Sequence, residues 1–257
     1  NKNKIEGEVF TDFSWINEIK DQRTLVVCDL DGTLVPLVSH PQETRVPSKL
    51  HQLLTKISAH PLLELVILSG RDRTFFEEHL LPLNLPLNLA ACHGALVYKA
   101  KENKWHSLIT NSNDSWKIPV KELLELYTKR TPGSFIEEKE FSLVWHYRQS
   151  PDGFAAFLAN KLYSELEEIL SSYPVEVSKG KKIIEVKDIQ ANKGVFIRRW
   201  LDLVETKPEV IVALGDDQTD EDLFSALEQL GVKHYSVKIG LEETKAKYFF
   251  KEQAVVE

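Results

Sequence analysis

The stretch TLVVCDLDGTL, residues 24–34, joins a short apolar run to two carboxylates and a glycine. An uninterrupted run of this kind indicates a strand buried on both faces, as in parallel sheets. Similar runs occur at residues 65–68 and 210–214, and polar residues directly follow each of them. Because ligands bind beyond the carboxyl ends of the strands in open α/β sheets, the three polar segments are expected to meet at one site.

The regions between these strands show helical periodicity, which completes an alternation of strand and helix. The predicted helices cover residues 47–59, 72–79, 192–203 and 219–229. This alternation predicts an α/β fold with a doubly wound, mainly parallel sheet.

The stretch from residue 113 to residue 187 follows a different pattern and is predicted to be an insertion. It contains a helix, an alternating apolar and polar segment, a longer helix and a strand, at residues 120–129, 135–148, 153–170 and 182–186. We therefore expect residues 1–112 and 188–257 to form a catalytic core and residues 113–187 to form a smaller α/β cap.

Composition and charge exclude several classes of protein. Hydrophobic residues make up 42% of the 257 residues, which is enough for a substantial core. The formal net charge of -7 disfavours nucleic acid as a partner. No apolar run approaches the roughly 18 residues of a membrane span, and no basic and apolar leader opens the chain. Cys28 and Cys92 lie in apolar runs that suit buried, reduced thiols, so a cytoplasmic protein without a membrane partner is predicted.

The residues that follow the first strand have the character of a metal and phosphate site: Asp29, Asp31, Gly32 and Thr33. Two neighbouring carboxylates are costly to ionise without a compensating cation. Mg²⁺ prefers such hard oxygen ligands. Gly32 allows a sharp turn that presents backbone amides and the Thr33 hydroxyl to a phosphate. Taken alone, the same residues are also compatible with an ordinary turn.

Three further segments weaken that alternative. Residues 69–71, SGR, end the second strand with a hydroxyl and a guanidinium, and residues 192–194, NKG, open a predicted helix with a lysine near the positive end of its dipole. Residues 215–222, GDDQTDED, follow the third strand. An acid-rich helix N-terminus explains the last three acids of that segment, but not the pair directly after its glycine.

In order and spacing, these segments resemble the four motifs of the haloacid dehalogenase superfamily, and within it the trehalose-6-phosphate phosphatases. The resemblance is particularly to the phosphatase part of enzymes fused to a synthase domain, and it extends from about residue 25 to residue 227. It includes LSGRD at 68–72, GSFIEEKE at 133–140, VWHYR at 144–148, GKKIIEVK at 180–187 and GDDQTDE at 215–221. In two departures, Cys92 stands where the family usually has an acidic residue and Asp188 where a proline is common.

The resemblance implies a phosphatase mechanism with an aspartyl-phosphate intermediate. Asp29 is the expected nucleophile, and Asp31 is the expected general acid, which later becomes the base that activates water. Mg²⁺ is expected to be held by Asp29, the Asp31 carbonyl and Asp216. The other core residues with implied roles are the phosphate-binding Thr33, Ser69, Gly70 and Lys193 and the ligand-supporting Asp217 and Asp220.

The cap is expected to select the substrate. Lys181 and Glu185 are four residues apart on the predicted strand and should point to one face, while Glu137 and Lys139 flank a predicted turn. Mixed acidic and basic side chains suit a neutral polyol, because they accept hydrogen bonds from hydroxyls and donate to them. By the resemblance, the residues that read a disaccharide phosphate are Arg71, Glu137, Lys139, Arg148, Lys181 and Glu185. An ordinary solvated strand face has a similar composition, and His146 is expected to be structural.

Trehalose 6-phosphate is the expected substrate, and alternatives remain open. Another capped phosphatase, acting on sucrose phosphate or mannosylglycerate phosphate, has the same core motifs. A non-catalytic regulatory domain that binds trehalose 6-phosphate is expected to lack some of them, whereas Asp29, Asp31, Lys193 and Asp216 are all present. A trehalose-6-phosphate synthase domain or subunit is the expected protein partner.

Overall fold

The computed structural model describes residues 14–36 and 46–251. Two compact units divide the chain, one formed by residues 1–108 and 192–257 and the other by residues 109–191. The first contains the three predicted core strands, and the second contains every element predicted for the insertion. Among the described residues, no helix has both the length and the apolar character needed to cross a bilayer.

The first unit is built around a large mixed sheet. Its strands are β1 (Thr24–Cys28), β2 (Leu63–Leu68), β3 (Asn88–Ala91), β4 (Leu96–Lys99), β5 (Lys104–Ser107), β10 (Val210–Gly215), β11 (His234–Ile239) and β12 (Tyr248–Phe250). In the described residues the spatial order is β12-β11-β10-β1-β2-β3-β4-β5. The strands from β12 to β3 pair in parallel, and β4 and β5 add an antiparallel hairpin. The predicted doubly wound, mainly parallel sheet is confirmed.

Both faces of this sheet are covered by helices, which explains the uninterrupted apolar runs. The helices of the unit are α1 (Ser14–Ile19), α2 (Ser48–Ser58), α3 (Arg73–His79), α6 (Lys193–Leu203) and α7 (Gln218–Leu230). In β10, Ile211 and Ala213 pack in one cluster with residues of α6 and α7, whereas Val210 and Val212 pack in another with Ile19 of α1. Successive residues of β10 therefore point to opposite faces, and both faces need apolar side chains.

The register of the parallel strands brings the polar segments to one edge of the sheet. Cys28 at the end of β1 pairs with Leu214 of β10, and the amide of Asp29 donates a hydrogen bond to the Leu214 carbonyl across 2.9 Å. The segments after β1 and β10 therefore leave the sheet at the same level. Because β1 also pairs in parallel with β2, the segment after β2 follows at that edge too.

The second unit has an antiparallel sheet covered on one face by two helices. Its strands are β6 (Phe135–Glu138), β7 (Ser142–His146), β8 (Val175–Gly180) and β9 (Ile183–Asp188), in the order β6-β7-β9-β8, and its long helices are α4 (Lys117–Arg130) and α5 (Asp152–Ile169). Trp145 and Val186 pack with Leu124 of α4 and Leu162 of α5. Since neighbouring residues of a strand point to opposite faces, the other face carries Glu185.

Lys181 does not lie on a strand, so the expectation that it shares a strand face with Glu185 is wrong. The strand β9 begins at Ile183, and Lys181 and Lys182 form the turn of the β8–β9 hairpin. Lys182 has φ 65°. The alternation of faces holds only within extended backbone, and a left-handed residue interrupts it.

Candidate active site

Lys193, the first residue of α6, lies at the centre of a charged cluster and is only 1% exposed. Its Nζ donates to Oδ1 of Asp29 and to Oδ1 of Asp220, across 2.7 Å in each case. The side chain of Asn192 caps α6 by accepting from two amides of its first turn, and it donates to Asp222 of α7 across 2.8 Å. Lys193 is thereby fixed between Asp29, which follows β1, and Asp220, which belongs to α7.

Burial and charge together set the ionisation of this cluster. Burial raises the pKa of Asp29 to about 7, even though the ammonium of Lys193 opposes the shift. Burial also raises the pKa of Asp220 against the same ammonium. For Lys193 burial acts in the opposite direction, but the charges of Asp220 and Asp29 prevail and hold its pKa well above its usual value. One ammonium thus faces two carboxylates, and their full ionisation needs further positive charge.

Three carboxylates converge beside the lysine. Asp29, Asp216 and Asp220 each offer an oxygen within 4.8 Å of the others. Gly32, with φ 88°, leaves room for this arrangement, because a β-carbon there would lie 2.2 Å from Oδ2 of Asp216. Asp220 also accepts from the amides of residues 216 and 217, each across 3.1 Å. The donor set consists of hard oxygens, which suit Mg²⁺.

Asp217 caps α7, although the alternative of an acid-rich helix N-terminus was expected to explain only the last three acids of this segment. Its Oδ1 accepts from the Thr219 amide across 2.8 Å and from the Thr219 hydroxyl across 2.6 Å. A reciprocal bond from the amide of Asp217 to the side chain of Asp220 completes a capping box. Asp216 lies outside this cap and within the carboxylate group. Helix capping therefore explains Asp217, whereas Asp216 belongs to the group of converging carboxylates.

The predicted phosphate-binding hydroxyls are buried. Thr33 and Ser69 are 0% and 3% exposed. The Thr33 hydroxyl lies 3.5 Å from Oδ1 of Asp216, and Oγ of Ser69 accepts from the amide of Arg71 across 3.2 Å. Both hydroxyls are thus held in place by neighbours within the first unit.

Residues 92–94 form a strained loop that the sequence did not assign to the site. Their φ values are 51°, 56° and 92°, in the left-handed region that residues other than glycine rarely adopt. The first two donate their amides to the carbonyls of residues 71 and 69, across 2.8 and 2.9 Å. The His93 ring covers Gly70, where a β-carbon would lie 2.7 Å from it. Cys28 and Cys92 are buried, as predicted, and neither forms a disulfide. The loop therefore fixes the backbone that carries Ser69.

Arg71 forms a two-pronged ion pair with Asp31. Nε donates to Oδ2 across 2.7 Å, and Nη2 donates to Oδ1 across 2.6 Å. Among the described residues, the carboxylate of Asp31 is not part of the group formed by Asp29, Asp216 and Asp220. The structure therefore brings Arg71, which the resemblance assigned to substrate recognition, to the expected general acid.

In the second unit, Glu137 is the centre of a small charged group. Its Oε2 accepts from Nε2 of His146 across 2.8 Å and lies 3.9 Å from Nζ of Lys139. Burial acts to raise the pKa of Glu137, but His146 and Lys139 together lower it. Glu185 and Glu137 both pair with Val144 of β7, so they lie on one face of the sheet.

Two other residues of the second unit complete the geometry. The ring of His146 is stacked on Phe135 with 4.5 Å between the ring centroids. Arg148 donates to the carbonyl of Lys181 across 3.3 Å. The predicted recognition residues of this unit thus form two groups, one on the strand face and one at the hairpin turn. His146 and Glu137 are diagonal neighbours on the paired strands β6 and β7, and no motif in the sequence indicates their contact.

Comparison with known proteins agrees with this fold. The first unit and its insertion share a fold with a solved haloacid dehalogenase-like hydrolase from Bacteroides thetaiotaomicron, at 15% identity over 91% of this chain and 96% of that chain, with a TM-score of 0.66. The solved C-terminal domain of Candida albicans trehalose-6-phosphate phosphatase is more similar, with 30% identity, a TM-score of 0.89 and coverage of 97% of this chain and 95% of that one.

The sequence comparisons identify the family. The trehalose-phosphatase family model matches residues 27–254. A trehalose-phosphatase of Zygosaccharomyces rouxii is 35% identical over 82% of this chain and 25% of its own length. A bifunctional trehalose-6-phosphate synthase/phosphatase of Thermoproteus tenax is 34% identical over 89% of this chain and 30% of its own length.

The chain belongs to the trehalose-phosphatase family. It spans between a quarter and a third of the length of these two relatives. The resemblance seen in the motifs, including that to fused synthase/phosphatase proteins, is confirmed.

Proposed function

We propose that this chain is a Mg²⁺-dependent phosphatase that converts trehalose 6-phosphate to trehalose and phosphate through an aspartyl-phosphate on Asp29. The observation that carries the proposal is the buried ammonium of Lys193, 2.7 Å from both Asp29 and Asp220, beside the carboxylate of Asp216. A non-catalytic binding domain has no need of a buried, charge-compensated nucleophile. The cluster therefore favours the enzyme over the regulatory alternative.

Each step of the reaction has a residue in this chain to perform it. An oxygen of Asp29 attacks phosphorus while the bond to the sugar oxygen breaks and Asp31 supplies the proton to that oxygen. Asp31 then removes a proton from water as the water oxygen attacks phosphorus, and the Asp29 carboxylate is released. Lys193, Thr33, Ser69 and the Gly70 segment bind the phosphoryl oxygens, where negative charge is concentrated.

The residues that would hold Mg²⁺ are Asp29, Asp216 and the main-chain carbonyl of Asp31, with Asp217 and Asp220 supporting them. The converging oxygens, the space left by Gly32 and the raised pKa of Asp29 all fit such a cation. When bound, the ion would supply positive charge that lets the carboxylates and the phosphate approach each other.

Removal of divalent metal is expected to lower phosphate release by at least about 100-fold, because the ion supplies several kcal/mol of charge stabilisation. The measurement is release of inorganic phosphate by protein passed through a chelating column, followed by stepwise addition of Mg²⁺. Added Mg²⁺ should restore the rate, and added Na⁺ at equal ionic strength should not. Full activity in excess chelator, with no metal found in the protein, would rule out the metal assignment.

The choice of trehalose 6-phosphate rests on the relatives and on the strand face of the second unit. Glu137 and Glu185 share that face, and Lys139 lies near Glu137. Carboxylates and an ammonium together satisfy the hydroxyls of a neutral disaccharide. A synthase domain or subunit is the proposed partner, since the Thermoproteus tenax relative is named as a synthase and a phosphatase in one protein.

Glu185→Gln is expected to lower kcat/KM for trehalose 6-phosphate by roughly 10- to 150-fold, the effect of losing a hydrogen bond that involves a charged group. The same variant should act on p-nitrophenyl phosphate almost as well as wild type does, because that ester has no sugar. Glu138→Gln is the matched control, since Glu138 lies on the opposite face of the sheet, in an exposed ion pair with Lys121. Equal losses on both esters would contradict the assignment of this face to the sugar.

A further inference from the structure

The carboxylate of Asp31 is fixed through both of its oxygens by one side chain. Nε of Arg71 bonds Oδ2 across 2.7 Å and Nη2 bonds Oδ1 across 2.6 Å, an arrangement in which two parallel hydrogen bonds set the plane of the carboxylate as well as its position. Both side chains are mostly buried, with 15% and 22% of their surfaces exposed. A buried pair of this geometry is stronger and more rigid than a surface ion pair.

Arg71 is itself held from several sides. Its carbonyl accepts from the amide of Cys92 across 2.8 Å, and its own amide donates to Oγ of Ser69 across 3.2 Å. Its guanidinium lies 4.5 Å from the ring centroid of Phe75, which is buried in α3. The loop of residues 92–94 and the start of α3 thus determine where the guanidinium sits, and the guanidinium determines where Asp31 sits.

We propose that Arg71 is a positioning residue for Asp31: its two hydrogen bonds set the plane and the position of the carboxyl group that gives its proton to the departing alcohol. This inference rests on the proposed function. In the first step an oxygen of Asp29 bonds to phosphorus, the bond from phosphorus to the sugar oxygen breaks, and the proton on an Asp31 oxygen moves to that sugar oxygen. Asp31 is left as a carboxylate whose two oxygens can both accept from Arg71. No oxidant or further reactant is needed.

Positioning of a general acid has a signature that substrate binding lacks. An alcohol that is a poor leaving group needs the proton, whereas p-nitrophenolate leaves without one. Displacing Asp31 should therefore slow esters of poor leaving groups more than it slows p-nitrophenyl phosphate. The parameter kcat/KM covers the steps up to departure of the alcohol. The later role of Asp31 as a base in hydrolysis of the aspartyl-phosphate therefore does not enter it.

The experiment compares kcat/KM of wild type and Arg71→Gln on p-nitrophenyl phosphate, phenyl phosphate and trehalose 6-phosphate. We expect losses of roughly 10- to 100-fold on phenyl phosphate and trehalose 6-phosphate, a part of the 10²- to 10⁴-fold effect of general acids, and of less than about 3-fold on p-nitrophenyl phosphate. Arg73→Gln is the matched control, because Arg73 lies two residues away in an exposed ion pair with Glu77 and should leave all three values unchanged. Arg71→Lys, which retains the charge with fewer donors, should lie between wild type and Arg71→Gln.

Other outcomes would overturn the proposal. Equal losses on all three esters would show that Arg71 acts on the phosphate or on the fold, and a loss confined to trehalose 6-phosphate would show that it reads the sugar. In an Asp31→Asn background, Arg71→Gln should cause little further loss on phenyl phosphate, and independent losses would contradict positioning. An inactive wild type would refute the proposed function itself, which is a different result from an active wild type with uniform losses in Arg71→Gln.

Discussion

Asp29→Asn is expected to abolish phosphate release, with kcat lowered by about 10⁴-fold or more, as when other enzymes lose their nucleophile. The amide has no anionic oxygen to attack phosphorus and is a poorer ligand for a metal ion. Its carbonyl oxygen still accepts a hydrogen bond, so the contact with Lys193 at 2.7 Å is retained and the fold should persist. The measurement is phosphate release at saturating substrate, together with a thermal unfolding curve.

The matched control for this variant is Asp72→Asn. Asp72 caps α3 by accepting from the Phe75 amide across 2.9 Å, and asparagine caps helices equally well. This control should therefore keep nearly full activity and stability. If Asp29→Asn were to retain more than about a tenth of wild-type activity, covalent catalysis by Asp29 would be ruled out.

Lys193→Met is expected to cause the second largest effect, with losses in both stability and activity. The change leaves Asp29 and Asp220 buried without their shared ammonium, and removing one partner of a buried ion pair typically lowers the free energy of unfolding by about 3 to 5 kcal/mol. Loss of a donor to the phosphoryl oxygens should also lower kcat by about 10²- to 10³-fold. Urea unfolding and phosphate release measure the two effects separately.

Lys56→Met is the control for charge and composition, because Lys56 lies exposed on α2. A double-mutant cycle sharpens the test of the charged cluster. In an Asp29→Asn background, Lys193→Met leaves only Asp220 without a partner and should lower the free energy of unfolding by less than it does in wild type. An equal cost in both backgrounds would contradict the role of Lys193 as the shared counter-ion.

The strands of the core were predictable where both faces are covered. The runs at 24–28 and 210–214 correspond closely to β1 and β10, because a strand between two helix layers must be apolar throughout. By contrast, β11 has the sequence HYSVKI and is buried at every position. Its Lys238 lies 3.6 Å from Glu221 of α7, and this distant partner, which local patterning cannot show, allows a lysine inside the sheet.

The short strands of the first unit were missed for another reason. The strands β3, β4 and β5 each have only four residues. Runs of this length give too little periodicity to distinguish a strand from a loop. The turn between β4 and β5 depends on Asn103, whose φ of 52° has no strong signal in its sequence context.

The residues of the candidate site were easier to predict than their partners. Asp29, Ser69 and Asp216 follow buried strands, and the topology of a parallel sheet brings such positions together. The pairing of Arg71 with Asp31 joins residues 40 positions apart, so no spacing rule indicates it. The same applies to the loop of residues 92–94, whose backbone conformation is fixed by contacts and not by a recognisable turn motif.

Phosphate release from trehalose 6-phosphate by the wild-type chain in Mg²⁺ is the decisive measurement for the proposed function. We expect turnover that depends on Mg²⁺ and is abolished in Asp29→Asn. Its kcat/KM should exceed that for sucrose 6-phosphate and glucose 6-phosphate by at least about tenfold, the effect of one hydrogen bond to a charged group. Release from trehalose 6-phosphate no faster than that of the Asp29→Asn variant would contradict the proposed function.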